Sequence, residues 1–164
     1  MKFKIIGVGT RMPEWVTAGV RDYQRRLPND VCPEWIEIAL GARQKHQLIK
    51  KAIEKESLLL MRQINKQDFV VALDVLGHAM NTEQLAEKQL HWQREGADVC
   101  FIIGGPDGLS EDCLQRANMR WSLSALTLPH PLVRLVLIEQ LYRAWSINAG
   151  HPYLTTEHEK DHLL

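Results

Sequence analysis

Two rhythms of apolar residues divide this chain into alternating strands and helices. Short, nearly continuous apolar runs at Lys2 to Val8, Phe69 to Asp74 and Val99 to Ile103 are of the kind a sheet buries on both faces. Glu34 to Leu40 sets Trp35 and Glu37 against Ile36 and Ile38, a period of two, with Gly41 after it. Trp121 to Leu128 supplies a fifth strand. Between these runs the spacing becomes helical. Pro13 opens a helix because its missing N–H would be an orphan donor there anyway, and Trp15, Gly19 and Tyr23 fall on one face of it. His46 to about Ile64 keeps helical spacing through Ile49, Ile53 and Leu60. Asn81 and Gln84 form a capping-box pattern at the start of a helix that reaches Arg94 and is stopped by Gly96. Ser110 caps a short helix through Gln115, and Pro131 to Ile147 is a long, mostly apolar one. The pattern predicts an α/β fold with a mostly parallel sheet flanked by helices.

Two strand ends carry unusual punctuation. Ile103-Gly104-Gly105-Pro106-Asp107-Gly108-Leu109 removes three side chains where a ligand or another backbone must come close. The run from Leu123 through Pro129-His130-Pro131 to Arg134 is the second such stretch. Either loop alone reads as an ordinary turn. Side by side, they would make two ligand-gripping edges at the face where open α/β sheets bind small molecules.

Composition narrows the class. At 164 residues the chain is one domain, and its 45% apolar content is ordinary for a soluble protein. No apolar run approaches the roughly 18 residues of a membrane span, and the first residues are too short in their apolar part to be a signal peptide. Cys32, Cys100 and Cys113 show no CxxC spacing and suit a reducing, cytoplasmic location. Formal net charge is zero, yet residues 1 to 51 hold ten Lys or Arg against five Asp or Glu. Arg11, Arg21, Arg25, Arg26, Arg43, Lys45, Lys50 and Lys51 could gather into a polyanion-facing surface or simply solvate helices.

Standard motifs fail. Gly7-Val8-Gly9 lacks the third glycine of a dinucleotide fingerprint, since position 12 is Met12. No phosphate loop with its lysine and no G-x-S-x-G elbow occurs. His158-Glu159-Lys160-Asp161-His162 matches H-E-x-x-H by letter, but only Leu163 and Leu164 follow, so no third zinc ligand is available downstream. The expectation is no metal and no membrane.

Taken together, Gly7 to Thr10, Leu73-Asp74, the Gly104 loop, Leu123 to Arg134, Glu139 to Trp145 and His151-Pro152-Tyr153 resemble one family in order and spacing. It is the SPOUT-class methyltransferases that modify N3 of a pseudouridine in large-subunit ribosomal RNA. The likeness spans residues 1 to 153 as a single domain and leaves 154 to 164 as a polar, loose extension. It implies a SPOUT fold with a deep C-terminal trefoil knot, an exception to the rule that chains avoid threading. It also implies a homodimer and an S-adenosylmethionine cofactor; with no RNA-recognition module appended, the expectation is that target shape, that of the assembled ribosome, supplies specificity.

The resemblance further assigns residues. Leu73, Gly104, Gly105, Leu123, Ser124, Ala125, Leu126, Thr127 and Leu128 would hold the cofactor. For the acceptor, Arg143 is the candidate to stabilise an anion or dock the base, or else anchors its helix. His130 and His151 are candidates for proton handling, with His130 between two prolines alternatively a turn residue. Tyr153 is the candidate to stack on or hydrogen-bond to a flipped base. Two departures stand out. Asp107 replaces the family's usual Glu in the glycine loop. The family's His-Arg after Tyr153 is here Leu154-Thr155, so those two roles are not carried over. The altered tail motivates an alternative: a catalytically weak or inactive ribosome-binding factor that retains the cofactor pocket. A transfer-RNA methyltransferase is a third reading, made weaker by the absence of an added RNA-binding domain.

Overall fold

Five strands and five helices alternate through residues 1–43 and 48–151, the part of the chain that the computed structural model describes. In chain order they are β1 (Phe3–Val8), α1 (Glu14–Arg26), β2 (Glu34–Ile38), α2 (Ile49–Met61), β3 (Phe69–Ala79), α3 (Thr82–Glu95), β4 (Val99–Ile103), α4 (Glu111–Arg116), β5 (Met119–Ser122) and α5 (His130–Ala149). The strands lie in the order β2-β1-β4-β3-β5, and every neighbouring pair is parallel. The expected α/β sheet is therefore present.

Period-two alternation feeds two cores, one on each face. Phe3 and Ile5 of β1 pack with Val71, Phe101, Trp121, Leu137 and Leu141 against α1, α3 and α5. Ile6 and Val8 point the other way and join Val70, Ala72, Ile102 and Leu60 beneath α2 and α4. Each large side chain so buried contributes about 1.5–3 kcal/mol. Lys4 shares the second face, and its Nζ donates to Asp68 Oδ2 at 2.7 Å, which keeps that buried ammonium charged. Cys100 is plain core, and burial pushes its thiol up to about 12.

Two strand ends and two helix faces differ from the pattern reading. β5 ends at Ser122 and not at Leu128. Ser122 Oγ donates to the Ser124 carbonyl at 2.9 Å, and Ser124 Oγ accepts from Leu126 N–H at 2.9 Å, which diverts the backbone from the ladder. β3 runs past Asp74 to Ala79 around an irregularity, with Leu73 and His78 both opposite Trp121. Gly77 permits it, since a Cβ there would lie 2.6 Å from the Arg120 carbonyl carbon. On α2 the buried residues are Ala52, Glu56, Ser57 and Leu60, while Ile49 is exposed, because Gly41 packs its backbone onto Ala52. On α1 the buried residue is Val16, and Trp15 is 58% exposed. Gly19 and Tyr23 do face α5, against Leu135 and Tyr142.

Asn81 and Gln84 form the expected capping box on α3, and Gly96 ends that helix at φ 76°. Ser110 accepts from Cys113 N–H to cap α4. Among the described residues no helix is long and apolar enough to cross a membrane. Residues 154–164, including the H-E-x-x-H letters, lie outside the described part, as does His46.

Candidate functional site

The C-terminal ends of β4 and β5 and the irregular middle of β3 open into a cavity of about 950 Å³. β4 and β5 each supply a wall through the segment that leaves the strand. From β3 come Leu73, Asp74 and Val75, carried outward by the irregularity, where Asp74 Oδ1 accepts from Leu76 N–H at 3.1 Å. From β4 comes Ile103 to Gly108, and from β5 the loop from Leu123 to Pro129, running on into His130, Pro131 and Val133 of α5.

The glycine loop is built by its own backbone. Gly105 and Gly108 form an isolated antiparallel bridge, with Gly108 N–H donating to the Gly105 carbonyl at 3.0 Å. A Cβ on Gly104 would sit 2.5 Å from the Gly108 carbonyl carbon, and Gly108 has φ 80°. The close approach that Gly104 serves is backbone to backbone, while Gly105 packs against the Val8 and Leu40 side chains.

A charged clasp holds the loop from behind. Arg43 Nε donates to Asp107 Oδ2 at 2.7 Å, while its Nη1 reaches Glu56 Oε2 at 2.7 Å and the Gly41 carbonyl at 3.0 Å. Glu56, buried on α2, also accepts from Gly41 N–H at 2.8 Å. Hydrogen bonds to both carboxylates raise the Arg43 pKa, so the guanidinium stays charged. Asp107 thus serves the loop's attachment to the segment after β2. Nothing in the local spelling marks Arg43 or Glu56 as part of this site.

Of the nine expected cofactor residues, Leu73, Gly104, Gly105, Leu123, Ser124, Leu126, Thr127 and Leu128 line the cavity. Ala125 does not; it sits exposed within the same loop. His130 lines it too. Burial, and then the Arg134 charge, lower its pKa from 6.5, so the imidazole is neutral at neutral pH. Arg143 and His151 are not wall residues. Arg143 lies thirteen residues further along α5, about 20 Å at the helical rise, and its Nε donates to Glu139 Oε1 at 2.8 Å. His151 packs beside Trp145 and Tyr142 at that far end. Tyr153 lies outside the described residues.

Arg134 is a residue the pattern reading passed over. Its side chain is 4% exposed, and it donates to Glu37 Oε2 at 2.9 Å and to the Gly9 carbonyl at 2.7 Å. A guanidinium four residues after His130 in an apolar helix was the available signal. The basic cluster also resolves. Arg25 and Arg26 pair with Asp22, and Arg43 with Glu56 and Asp107. Among the described residues Arg11, Arg21, Lys50 and Lys51 make no ion pair; Lys45 lies outside them. No three His, Cys, Asp or Glu among the described residues are grouped to hold a metal ion.

A family model described as a predicted SPOUT methyltransferase matches residues 1–154. The ribosomal RNA large subunit methyltransferase H of Chromohalobacter salexigens is 52% identical over 153 residues, covering 93% of this chain and 99% of that protein. The protein of the same name from Saccharophagus degradans is 50% identical over the same shares. Among solved structures, a probable methylase family protein from Haemophilus influenzae superposes with a TM-score of 0.57 at 11% identity, covering 92% of this chain and 69% of that one. That last likeness is one of fold.

Proposed function

The chain belongs to the SPOUT methyltransferase family, and from that premise we propose that it methylates large-subunit ribosomal RNA with S-adenosylmethionine as donor. The observation that carries this reading is the chemistry of the larger cavity. Its walls combine apolar side chains (Leu73, Leu123, Leu126, Leu128) with the glycine loop, the carboxylate of Asp74 and that of Asp107, the last shared with Arg43. Among the described residues no lysine or arginine lines it. Such a pocket disfavours a nucleotide polyphosphate and suits an adenosyl group bearing a sulfonium and an ammonium. Bound there, the donor would supply an activated methyl group.

The chain's own residues then account for the acceptor half. We take the acceptor to be N3 of a pseudouridine, an imide nitrogen that becomes nucleophilic on losing its proton. His130, neutral and on the cavity wall, is placed to accept that proton. Arg134 fixes the backbone beside it through the Gly9 carbonyl. Arg143 and His151 sit too far along α5 to share a base with the His130 of their own chain. In this reading they serve the cavity of a second copy, which makes the functional unit a homodimer, with Tyr153 stacking on the base. A deep trefoil knot, cytoplasmic location and action on the assembled ribosome belong to the same proposal.

The test is transfer from methyl-labelled S-adenosylmethionine to ribosomes from a strain lacking this gene, beside separated subunits and naked ribosomal RNA. Label at a pseudouridine of large-subunit RNA is the expected outcome. Cofactor binding without transfer to any of these would favour the binding-factor reading and implicate Leu154 and Thr155.

A further inference from the structure

A second cleft, of about 470 Å³, lies beside the first, between α1 and the ends of β1 and β2. We infer that it is a phosphate subsite gripping the RNA backbone next to the methyl-transfer cavity, an assignment that rests on the RNA substrate proposed above.

Its lining is the electrostatic opposite of the first cavity. Among the described residues Arg11, Arg21 and Arg134 face it with Glu37 as the single carboxylate, so this lining is net cationic. Thr17, Arg21 and Gln24 recur at positions i, i+4 and i+7 of α1, which places their polar groups on the stripe that borders it. Arg11 and Arg21 are exposed and have no ionic partner among the described residues. Arg134 forms the floor. Two of its nitrogens are committed to Glu37 and the Gly9 carbonyl, and its buried Nε has no partner. The open guanidinium groups are those of Arg11 and Arg21, and such groups match the geometry of a phosphate.

Position ties the cleft to the reaction. His130 lines the first cavity and Arg134 the second, and Gly9 lies between them. A Cβ on Gly9 would be 3.1 Å from Met12 Cε, 3.4 Å from His130 Nε2 and 3.7 Å from an Arg134 terminal nitrogen, so the two cavities meet at this glycine. A nucleotide with its base against His130 would direct its phosphodiester toward Arg11 and Arg21. Of the other arginines of the basic cluster, Arg26 and Arg43 are held by carboxylates and Arg25 stands outside the cleft, so within it the grip falls to this pair.

The experiment uses the full chain with Arg11→Gln, Arg21→Gln and the double variant. Arg25→Gln removes the same charge from the same helix outside the cleft and is the control. Binding to large ribosomal subunits from a strain lacking the gene is measured across a salt series, and affinity for S-adenosylhomocysteine by calorimetry reports folding. Each cleft variant should weaken subunit binding about tenfold and flatten the log affinity against log salt line by about one. The double variant should flatten it by about two, and Arg25→Gln should do neither. S-adenosylhomocysteine affinity should hold in all four. Cleft variants indistinguishable from Arg25→Gln overturn the subsite, as does a changed oligomeric state with an unchanged slope, which would make the cleft a protein contact. If the parent protein neither binds subunits nor transfers methyl, the RNA reading fails and the subsite with it.

Discussion

Arg43 shows how one side chain can matter to a cavity without facing it. Replacing it by Met strands the Glu56 carboxylate, which is 3% exposed. Unfolding stability should fall by about 3 kcal/mol, the usual result of removing one partner from a buried pair; denaturant titration measures it. Asp107→Asn cuts only the outer half of the clasp, where both side chains remain partly solvated. Affinity for S-adenosylhomocysteine should drop about threefold, with stability nearly unchanged. His130 gives a pH prediction. Its native pKa lies below the 6.5 of a free imidazole, so the neutral form prevails at and above that value. Transfer should be flat above pH 6.5 and fall as acid protonates the ring; His130→Gln should lose about two orders of magnitude in rate together with that acid limb. Stability follows the same sign: the unfolded chain takes up the proton first, so the contribution is present above pH 6.5 and lost below. A transfer profile still rising above pH 7 would remove His130 as the base. The glycines of the cavity were legible because glycine is rare where backbone is free to choose. Arg43, Glu56 and Arg134 were not, because their partners are distant in the chain.

Elements explain where pattern reading worked and where it slipped. The buried strands β1 and β4 and the capped helix α3 came through within a residue or two, since each is encoded by its own local rhythm. Leu123 to Leu128 has strand-like composition, yet it is the wall of a cavity, and two serine side chains turn it out of the sheet. Apolar content there lines an open cavity and not a core. The glycine loop separates two kinds of conformational demand. Gly104→Ala drives a Cβ into the Gly108 backbone, and something in the loop must shift. It should abolish measurable S-adenosylhomocysteine binding while lowering the melting temperature only modestly. Gly96→Ala meets open space and a φ of 76°, so it should cost about 1 kcal/mol of stability and leave that affinity alone. Paired thermal melts and calorimetry distinguish the two.

At the scale of the whole molecule, Arg143 and the cavity lie at opposite ends of α5. If they meet across a homodimer, two inactive chains should complement. Leu126→Trp fills the cavity from an exposed position, and Arg143→Ala removes the proposed anion partner. Mixed by co-expression, each heterodimer would hold one site with both parts intact, so about a quarter of parent activity should return. No recovery would confine each site to a single chain. By itself the sequence determined the alternation of strands and helices, the two cores and the loop that bends on glycine, because backbone geometry and side-chain period act over a few residues. Family likeness extended that to a cavity wall of eight of the nine expected residues. Only the tertiary structure decided that β4 lies between β1 and β3. The same packing brought Arg134 to Glu37 across 97 positions and Arg43 to Asp107 across 64. Those pairings depend on how helices stack on a sheet, and no short stretch of chain carries that information. A basic residue reads the same in the sequence whether it meets a carboxylate or is left open for a phosphate; the packing around it makes the difference.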